Sequence, residues 1–222
     1  MRLVRILFVF TFLAVIATYA LCGALIFGLR NFNPPTTTVQ IERRIEAFRE
    51  HRPYHKRYEF VALRRISLNL QHAAVAAEDG RFRQHHGFDW VEMQKVLEDD
   101  LEHHRFGRGG STITQQLVKN LFLTTERSLL RKAVEFALVP LTEALLTKDR
   151  ILELYLNVIE WGPGIFGAEA AAEYYYHVHA SELNREQSAR LASILPAPLK
   201  RKPARMNEYT EVILDRMAKT GW

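Results

Sequence analysis

One uncharged run near the N-terminus, Ile6–Leu29, constrains this 222-residue chain more than any other feature. A helix of these residues covers about 36 Å, and the hydrocarbon core of a bilayer is roughly 30 Å thick. The alternative is a cleaved signal peptide, whose apolar region of about 7–15 residues ends at a small-x-small site. The run is too long for that, and Leu21 precedes Cys22 where a lipoprotein needs a small residue. We therefore predict an uncleaved transmembrane anchor.

Charges around the run indicate its orientation. Arg2, Arg5 and Arg30 flank it, and all 25 acidic residues follow it. The two preceding arginines favour a cytoplasmic N-terminus, although Arg30 weakens the contrast. The remaining residues, 31–222, carry a net charge of +2, which argues against a nucleic-acid partner. Cys22 is the only cysteine, which excludes an intrachain disulfide and a cysteine-based zinc site.

The chain is expected to divide into an anchor (1–30), a linker (31–38) and one folded domain (39–222). Two prolines and three threonines disfavour a helix in the linker. The domain reads as mostly α, with alternating β patterns nearly absent. Apolar spacing predicts helices at 41–50, 67–78, 89–103, 112–122, 128–147, 149–158, 168–176, 185–195 and 208–219. Pro140 is expected to kink or break one of them.

A first candidate motif, EDGRFRQHHG, runs from Glu78 to Gly87. Glu78 follows a turn rich in alanine and valine, and partial desolvation there would raise its pKa and suit it to acid or base catalysis. Asp79 beside it adds like-charge repulsion. The alternative is an exposed helix end carrying two solvated acids.

A second motif, GRGGSTITQQLVKN, runs from Gly107 to Asn120. Its glycines lead into a helix start where Thr112 and Gln115 fit a capping box. Free backbone N–H groups at such a start attract anions. Lys119 shares a helix face with Gln115 and could hold a phosphate. The alternative is an ordinary capped helix.

A third motif places Arg127, Arg131 and Glu135 four residues apart, with Lys132 adjacent. These residues form either a surface ladder of ion pairs, each worth about 0.3–0.5 kcal/mol, or a cationic groove with one carboxylate inside it. The nine histidines give no metal site, and His177 and His179 have no acidic partner at ligand spacing.

Together the three motifs, E-D-x-x-F-x-x-H-x-G, G-G-S-T-I-T-Q-Q-L-x-K-N and R-K-x-x-E, resemble those of the peptidoglycan glycosyltransferases, glycosyltransferase family 51. The segments Ile151–Tyr175 and Glu186–Pro203 resemble the fourth and fifth motifs of that family. The resemblance covers Leu63 to Met217. The stretch WGPGIFGAEAAA, Trp161–Ala172, is most similar to the monofunctional biosynthetic members of Gram-negative bacteria, which have a single membrane anchor.

The resemblance implies a lysozyme-like helical domain on a transmembrane helix. The enzyme would sit in the bacterial inner membrane by a single pass, with the N-terminus cytoplasmic and the catalytic domain periplasmic. Its substrates would be lipid II and the growing glycan strand. Its other partners would be the bilayer and proteins of cell-wall synthesis or division, with no nucleic acid. No cofactor is required, although a divalent cation, Mg²⁺ or Mn²⁺, could assist at the diphosphate.

The resemblance also assigns roles to residues. Glu78 would be the general base that deprotonates the acceptor 4-hydroxyl, in a reaction that inverts the anomeric carbon and releases undecaprenyl diphosphate. Glu135 would be a second catalytic carboxylate near the diphosphate or its cation. The substrate-binding residues would be Asp79, Phe82, His85, Ser111, Thr112, Gln115, Gln116, Lys119, Asn120, Arg127, Arg131 and Lys132.

Two departures from the family pattern concern details of substrate binding. Val134 precedes Glu135 where many members carry a basic residue, and His177-Val178 replace a common Gly-Lys pair. Two other functions stay open at this point. A lysozyme-like hydrolase would need no diphosphate pocket, and a membrane-anchored scaffold for cell-wall proteins would tolerate loss of Glu78.

Overall fold

The computed structural model describes residues 2–103 and 110–222, and for residues 100–103 it describes the backbone alone. The described residues form ten α-helices, so the predicted mostly α class with an apolar N-terminal helix is confirmed. The helices are α1 (Arg2–Gly28), α2 (Thr38–Arg49), α3 (Leu68–Glu78), α4 (Trp90–His103), α5 (Ile113–Phe122), α6 (Leu129–Leu145), α7 (Lys148–Val158), α8 (Ala168–Tyr176), α9 (Arg185–Ala192) and α10 (Asn207–Lys219).

A small sheet, which the sequence pattern did not predict, joins three short strands. These are β1 (Arg57–Tyr58), β2 (Glu160–Gly162) and β3 (Ile165–Phe166), in the order β1-β3-β2. β3 pairs parallel to β1 and antiparallel to β2. Strands of two or three residues are too short for an alternating pattern to be recognised. Gly167 (φ 87°) approaches the backbone so closely that a Cβ there would lie 2.7 Å from the Asn157 carbonyl oxygen.

Side-chain caps fix where the helices begin. Ser67, Ser128 and Thr147 each accept a hydrogen bond from a backbone N–H of the helix that follows. Thr112 forms the predicted capping box with Gln115 at the start of α5. Each cap satisfies an N–H group that has no partner within its helix.

The helices pack so that the end of α3 meets the middle of α5. α5 lies against α2, α6 and α7, while α3 packs against α9 and α10. Their contacts build one main hydrophobic core that includes Leu70, Leu117, Leu154, Tyr155 and Trp161. Charged residues on α3, α5 and α6 are therefore held by helices with buried faces.

α6 runs through Pro140 as one helix, so of the two expected effects the break is wrong, while the kink stays a prediction. Leu138, Val139 and Thr142 are buried on either side of the exposed proline. Packing on both sides holds the helix although one backbone hydrogen bond is lost.

The last turns of α1 pack against α6. Ile26 is fully buried, the Tyr19 hydroxyl donates to the Ala137 carbonyl (3.3 Å), and Gly23 faces Leu141. The guanidinium of Arg150 donates to the Leu29 carbonyl (2.7 Å), just beyond the helix. No residue in the most apolar 18-residue window of α1 is buried, so the helix is compatible with a single-pass membrane anchor.

Candidate active site

Glu78 is the last residue of α3 and is partly exposed beside a cleft of about 990 Å³. Ala73, Ala74 and Ala76 in the turns before it are buried, and Ala77 is half-buried. Its Oε2 accepts a hydrogen bond from the side-chain amide of Gln116 (2.7 Å) on α5. The carbonyl oxygen of the same amide accepts from the hydroxyl of Tyr155 (3.2 Å) on α7.

Burial raises the pKa of Glu78, and it is the largest influence on this group. The hydrogen bond from Gln116 and the positive charges of Lys119 and Arg201 act in the opposite direction, while Asp79 raises the pKa further. A desolvated carboxylate with one strong donor is the environment in which enzymes keep a general base. The alternative of two solvated acids at a helix end is therefore wrong, because Asp79 is buried as well.

Glu135 is a buried carboxylate enclosed by cations. It accepts from Arg131 Nη1 (2.7 Å), Lys132 Nζ (2.5 Å) and, more weakly, Gln115 Nε2 (3.4 Å). The side chains of Arg131 and Glu135 are 17% and 3% exposed. The surface-ladder interpretation of the third motif is therefore wrong, because Glu135 is buried and not on the surface. A buried carboxylate of this kind is stable only with paired cations such as Arg131 and Lys132.

Lys119 lies within the electrostatic influence of both carboxylates. Burial is the largest influence on its pKa and lowers it, whereas the charges of Glu135 and Glu78 raise it. Among the described residues Lys119 has no ion pair or hydrogen bond from its ammonium group. Its three donors are available for an anion in the space between Glu78 and Glu135.

Ser111 joins this cationic group from the start of the second motif. Its hydroxyl accepts from Lys132 Nζ (3.4 Å). The site therefore has a desolvated carboxylate on α3, a lysine on α5 and two cations with a buried carboxylate on α6. Positive charge next to a desolvated carboxylate suits a reaction in which a base activates one group and an anion departs from another.

Comparison with known proteins identifies the family. Residues 43–218 match the transglycosylase family. The chain belongs to this family. It is 44% identical over 192 residues to a protein of Janthinobacterium sp. (strain Marseille), covering 84% of this chain and 83% of that protein. It is 48% identical over 163 residues to one of Dechloromonas aromatica (strain RCB), covering 72% and 71%. A third, from Neisseria meningitidis serogroup B (strain ATCC BAA-335 / MC58), is 43% identical over 188 residues, covering 82% and 81%. All three are biosynthetic peptidoglycan transglycosylases by name.

Several predicted site residues of this transglycosylase are buried beneath the cleft and support the segments that carry Glu78 and α5. Asp79 accepts from the N–H of Ile113 (3.0 Å) and contacts His85 Nε2 (2.8 Å), and both side chains are buried. Phe82 is fully buried in the core. Thr112 donates to the Gly87 carbonyl (2.6 Å). These contacts connect the first motif to the start of α5.

Of the remaining predicted residues, Asn120 supports the helix that carries Gln116, and Arg127 is exposed at the surface. The Asn120 amide donates to the Gln116 backbone carbonyl (2.8 Å), which holds the segment carrying Gln116. Arg127 is exposed before α6 and has no ion pair with the described residues. Val134, the departure beside Glu135, is 39% exposed. The glycines at positions 107 and 109 of the second motif lie outside the described residues.

Asp79, His85 and Asp89 place their ligand atoms within 4.8 Å of one another. Both oxygens of Asp79 are already engaged, and Asp89 Oδ1 accepts the N–H of Glu92 (3.0 Å). The hydrogen bonds of Asp79 join His85, in the loop after α3, to the start of α5, and Asp89 separately caps the start of α4.

Two residues near Glu78 were missed by sequence reasoning. Tyr155 carries the hydroxyl that reaches Gln116; it lies in the segment that resembles the fourth family motif, from which no site residue was assigned. Arg201 donates to the Ser193 carbonyl (3.0 Å) and lies over the ring of Tyr209, 5.5 Å from its centroid. Arg201 lies in the segment that resembles the fifth family motif, from which no site residue was assigned, and the fold brings its charge near Glu78.

The expectation that His179 lacks an acidic partner is wrong. Its Nδ1 lies 2.6 Å from Oε1 of the buried Glu169, and its backbone N–H donates to Glu182 (2.8 Å). The turn after α8 reverses the chain, so a residue ten positions away returns to the start of the helix. Glu169 also accepts from the Ala180 N–H (2.9 Å), so it connects α8 to the following 3-10 helix.

Proposed function

We propose that this protein is a peptidoglycan glycosyltransferase that polymerises lipid II into β-1,4-linked glycan strands. The observation that carries the proposal is a desolvated carboxylate, Glu78, and a cationic group around Glu135, with Lys119 between them and without an ion pair among the described residues. The related proteins named biosynthetic peptidoglycan transglycosylases support the substrate class. The domain division at residues 1–30, 31–38 and 39–222 belongs to the same proposal.

In the proposed reaction Glu78 removes the proton of the acceptor 4-hydroxyl. The oxygen attacks the anomeric carbon of the donor, a new C–O bond forms, and the bond to the diphosphate breaks with inversion. The proton stays on Glu78 until it is passed to solvent. The raised pKa of Glu78 makes it a stronger base than a solvated glutamate.

Cations stabilise the leaving undecaprenyl diphosphate as its charge develops. Lys119 supplies an ammonium group that pairs with none of the described residues, and the carboxylate of Glu135 holds Arg131 and Lys132 in place. Preorganised charge of this kind needs no rearrangement at the moment of bond cleavage. Mg²⁺ or Mn²⁺ could add to this charge at the diphosphate, and the reaction as proposed requires no cofactor.

Attachment to the bilayer brings the enzyme to its polyprenyl substrate. α1 spans the inner membrane with its N-terminus in the cytoplasm, and the catalytic domain lies in the periplasm. Leu129 and Leu130, which are 91% and 77% exposed, start α6 directly before Arg131 and Lys132. An apolar helix start beside phosphate-binding cations suits a substrate whose diphosphate lies at the membrane surface.

The test is product analysis after full-length protein in detergent is incubated with labelled lipid II. We expect long glycan, β-1,4 linkages and one undecaprenyl diphosphate released for each bond formed. Preformed glycan is offered in a parallel reaction. Cleavage of that glycan without synthesis would favour the lysozyme-like hydrolase, and a folded protein inactive on both substrates would favour the scaffold.

A further inference from the structure

We propose that Tyr155 is a positioning residue that, through Gln116, selects which oxygen of Glu78 acts as the base. The inference rests on the proposed function, because it takes Glu78 as the base. Tyr155 is outside the three motifs that supplied the site residues.

Three helices meet in one chain of hydrogen bonds. The Tyr155 hydroxyl on α7 lies 3.2 Å from Gln116 Oε1 on α5. Gln116 Nε2 lies 2.7 Å from Glu78 Oε2 at the end of α3. The ring of Tyr155 is fully buried, so the hydroxyl is held in one place by the packing around it.

The hydroxyl decides which way the Gln116 amide points. The two ends of a glutamine amide are nearly equal in shape, but one donates and the other accepts. Burial raises the pKa of Tyr155 well above its ordinary value, so the hydroxyl keeps its proton and donates to Oε1. The amide NH₂ must then face Glu78, because the reverse orientation would set a carbonyl oxygen against a carboxylate.

The backbone of Gln116 is fixed by its own hydrogen bonds, so the orientation of its side-chain amide depends on the partners of that amide. Its N–H donates to the Thr112 carbonyl (3.0 Å), and its carbonyl accepts from the Asn120 amide (2.8 Å). The side chain beyond that point is held by Tyr155 at one end and Glu78 at the other.

The consequence is a difference between the two oxygens of Glu78. Oε2 is occupied by Gln116, whereas Oε1 accepts no hydrogen bond from the described residues. Since Glu78 lines the cleft, Oε1 is the oxygen free to take a substrate proton. The other groups whose charges act on Glu78 are Asp79, Lys119 and Arg201. Among the described residues, Gln116 alone donates a hydrogen bond to the Glu78 carboxylate, so the orientation of that carboxylate depends on Gln116.

The experiment compares Tyr155→Phe with the wild type in lipid II polymerisation across pH. We expect kcat to fall about 3- to 10-fold with little change in KM, the size expected for one neutral hydrogen bond. The acid limb of kcat/KM should move to higher pH, because the donor that favours ionised Glu78 is no longer aligned. Tyr58→Phe is the matched control: it removes a hydroxyl that donates to the Pro34 carbonyl (2.7 Å), and its profile should equal the wild type.

A double-mutant cycle separates positioning from packing. In a Gln116→Met background, Tyr155→Phe should have almost no further effect on kcat, because the amide it orients is gone. An equal loss in both backgrounds, or a wild-type pH profile for Tyr155→Phe, would overturn the inference. If Tyr155→Phe does not fold, Gln116→Asn replaces it, since the shorter amide cannot span both partners and should give the same shift.

Glu78→Gln in the same assay separates the base role of Glu78 from the positioning role of Tyr155. Inactive Glu78→Gln with an unaffected Tyr155→Phe would overturn only the role of Tyr155. Active, folded Glu78→Gln would overturn the role of Glu78 and the positioning role with it.

Discussion

At the scale of single residues, burial shifts the pKa values of Glu78 and Lys119 in opposite directions. Burial raises the pKa of the carboxyl and lowers that of the ammonium. Each pKa is thereby brought nearer to neutral pH. In the proposed reaction Glu78 must be ionised to act as a base, and Lys119 must be protonated to bind a phosphate.

These shifts predict a bell-shaped dependence of kcat/KM on pH. Activity should rise as Glu78 ionises, at a pH above the ordinary glutamate range, and fall as Lys119 deprotonates, below the ordinary value of 10.5. Initial rates of lipid II polymerisation across pH provide the measurement. An acid limb at or below the ordinary glutamate pKa would contradict the assignment of Glu78.

Lys119→Ala should reduce kcat/KM for lipid II by about 100-fold or more, the loss typical for one donor to a developing anion. Lys119→Arg keeps the charge and should retain part of the activity. The exposed Lys202→Ala serves as the control for removal of a lysine. Unchanged kinetics for Lys119→Ala would remove this residue from the diphosphate site.

At the scale of elements, helices were predictable and most of their bounds agree within a few residues. Ser67 and Thr112 were readable because a cap depends on neighbours in the chain. The three strands, Tyr155 and the Glu169–His179 contact were not, because each depends on residues brought together by folding. The end of α8 carries backbone strain, because His177, which replaces a common glycine, has φ 56° in the left-handed region.

His177→Gly should therefore stabilise the protein. A non-glycine residue in the left-handed region costs about 1 kcal/mol, and part of that gain is offset by the greater freedom of glycine in the unfolded chain. Denaturant unfolding should show an increase of about 0.5–1 kcal/mol in the free energy of unfolding. The exposed His86→Gly is the control, and equal effects at both positions would contradict the argument from backbone strain.

At the scale of the whole molecule, the N-terminal helix α1 and the helices that follow it share one hydrophobic core. Ile26 of α1 belongs to the same hydrophobic cluster as Leu70 and Trp161. The sequence predicted the anchor from its length and apolar composition. It gave no sign of this packing, because the buried Ile26 and the exposed residues of α1 are equally apolar.

Ile26→Ala should lower the stability of the folded domain by about 2–5 kcal/mol, as expected when a buried aliphatic side chain is truncated. Thermal unfolding of the full-length protein in detergent is the measurement. Ile16→Ala, on an exposed part of the same helix, should leave the transition almost unchanged. Equal transitions for both variants would show that α1 does not stabilise the domain.

The central claim is that Glu78 is the base of a glycosyl transfer, and the initial rate of polymerisation of labelled lipid II by Glu78→Gln tests it most directly. Glutamine keeps the size of the side chain but cannot accept the hydroxyl proton. The exposed Glu59→Gln is the matched control. The account predicts long glycan from the wild type and from Glu59→Gln, and none from a folded Glu78→Gln. Glycan synthesis by Glu78→Gln at the rate of the wild type would contradict it.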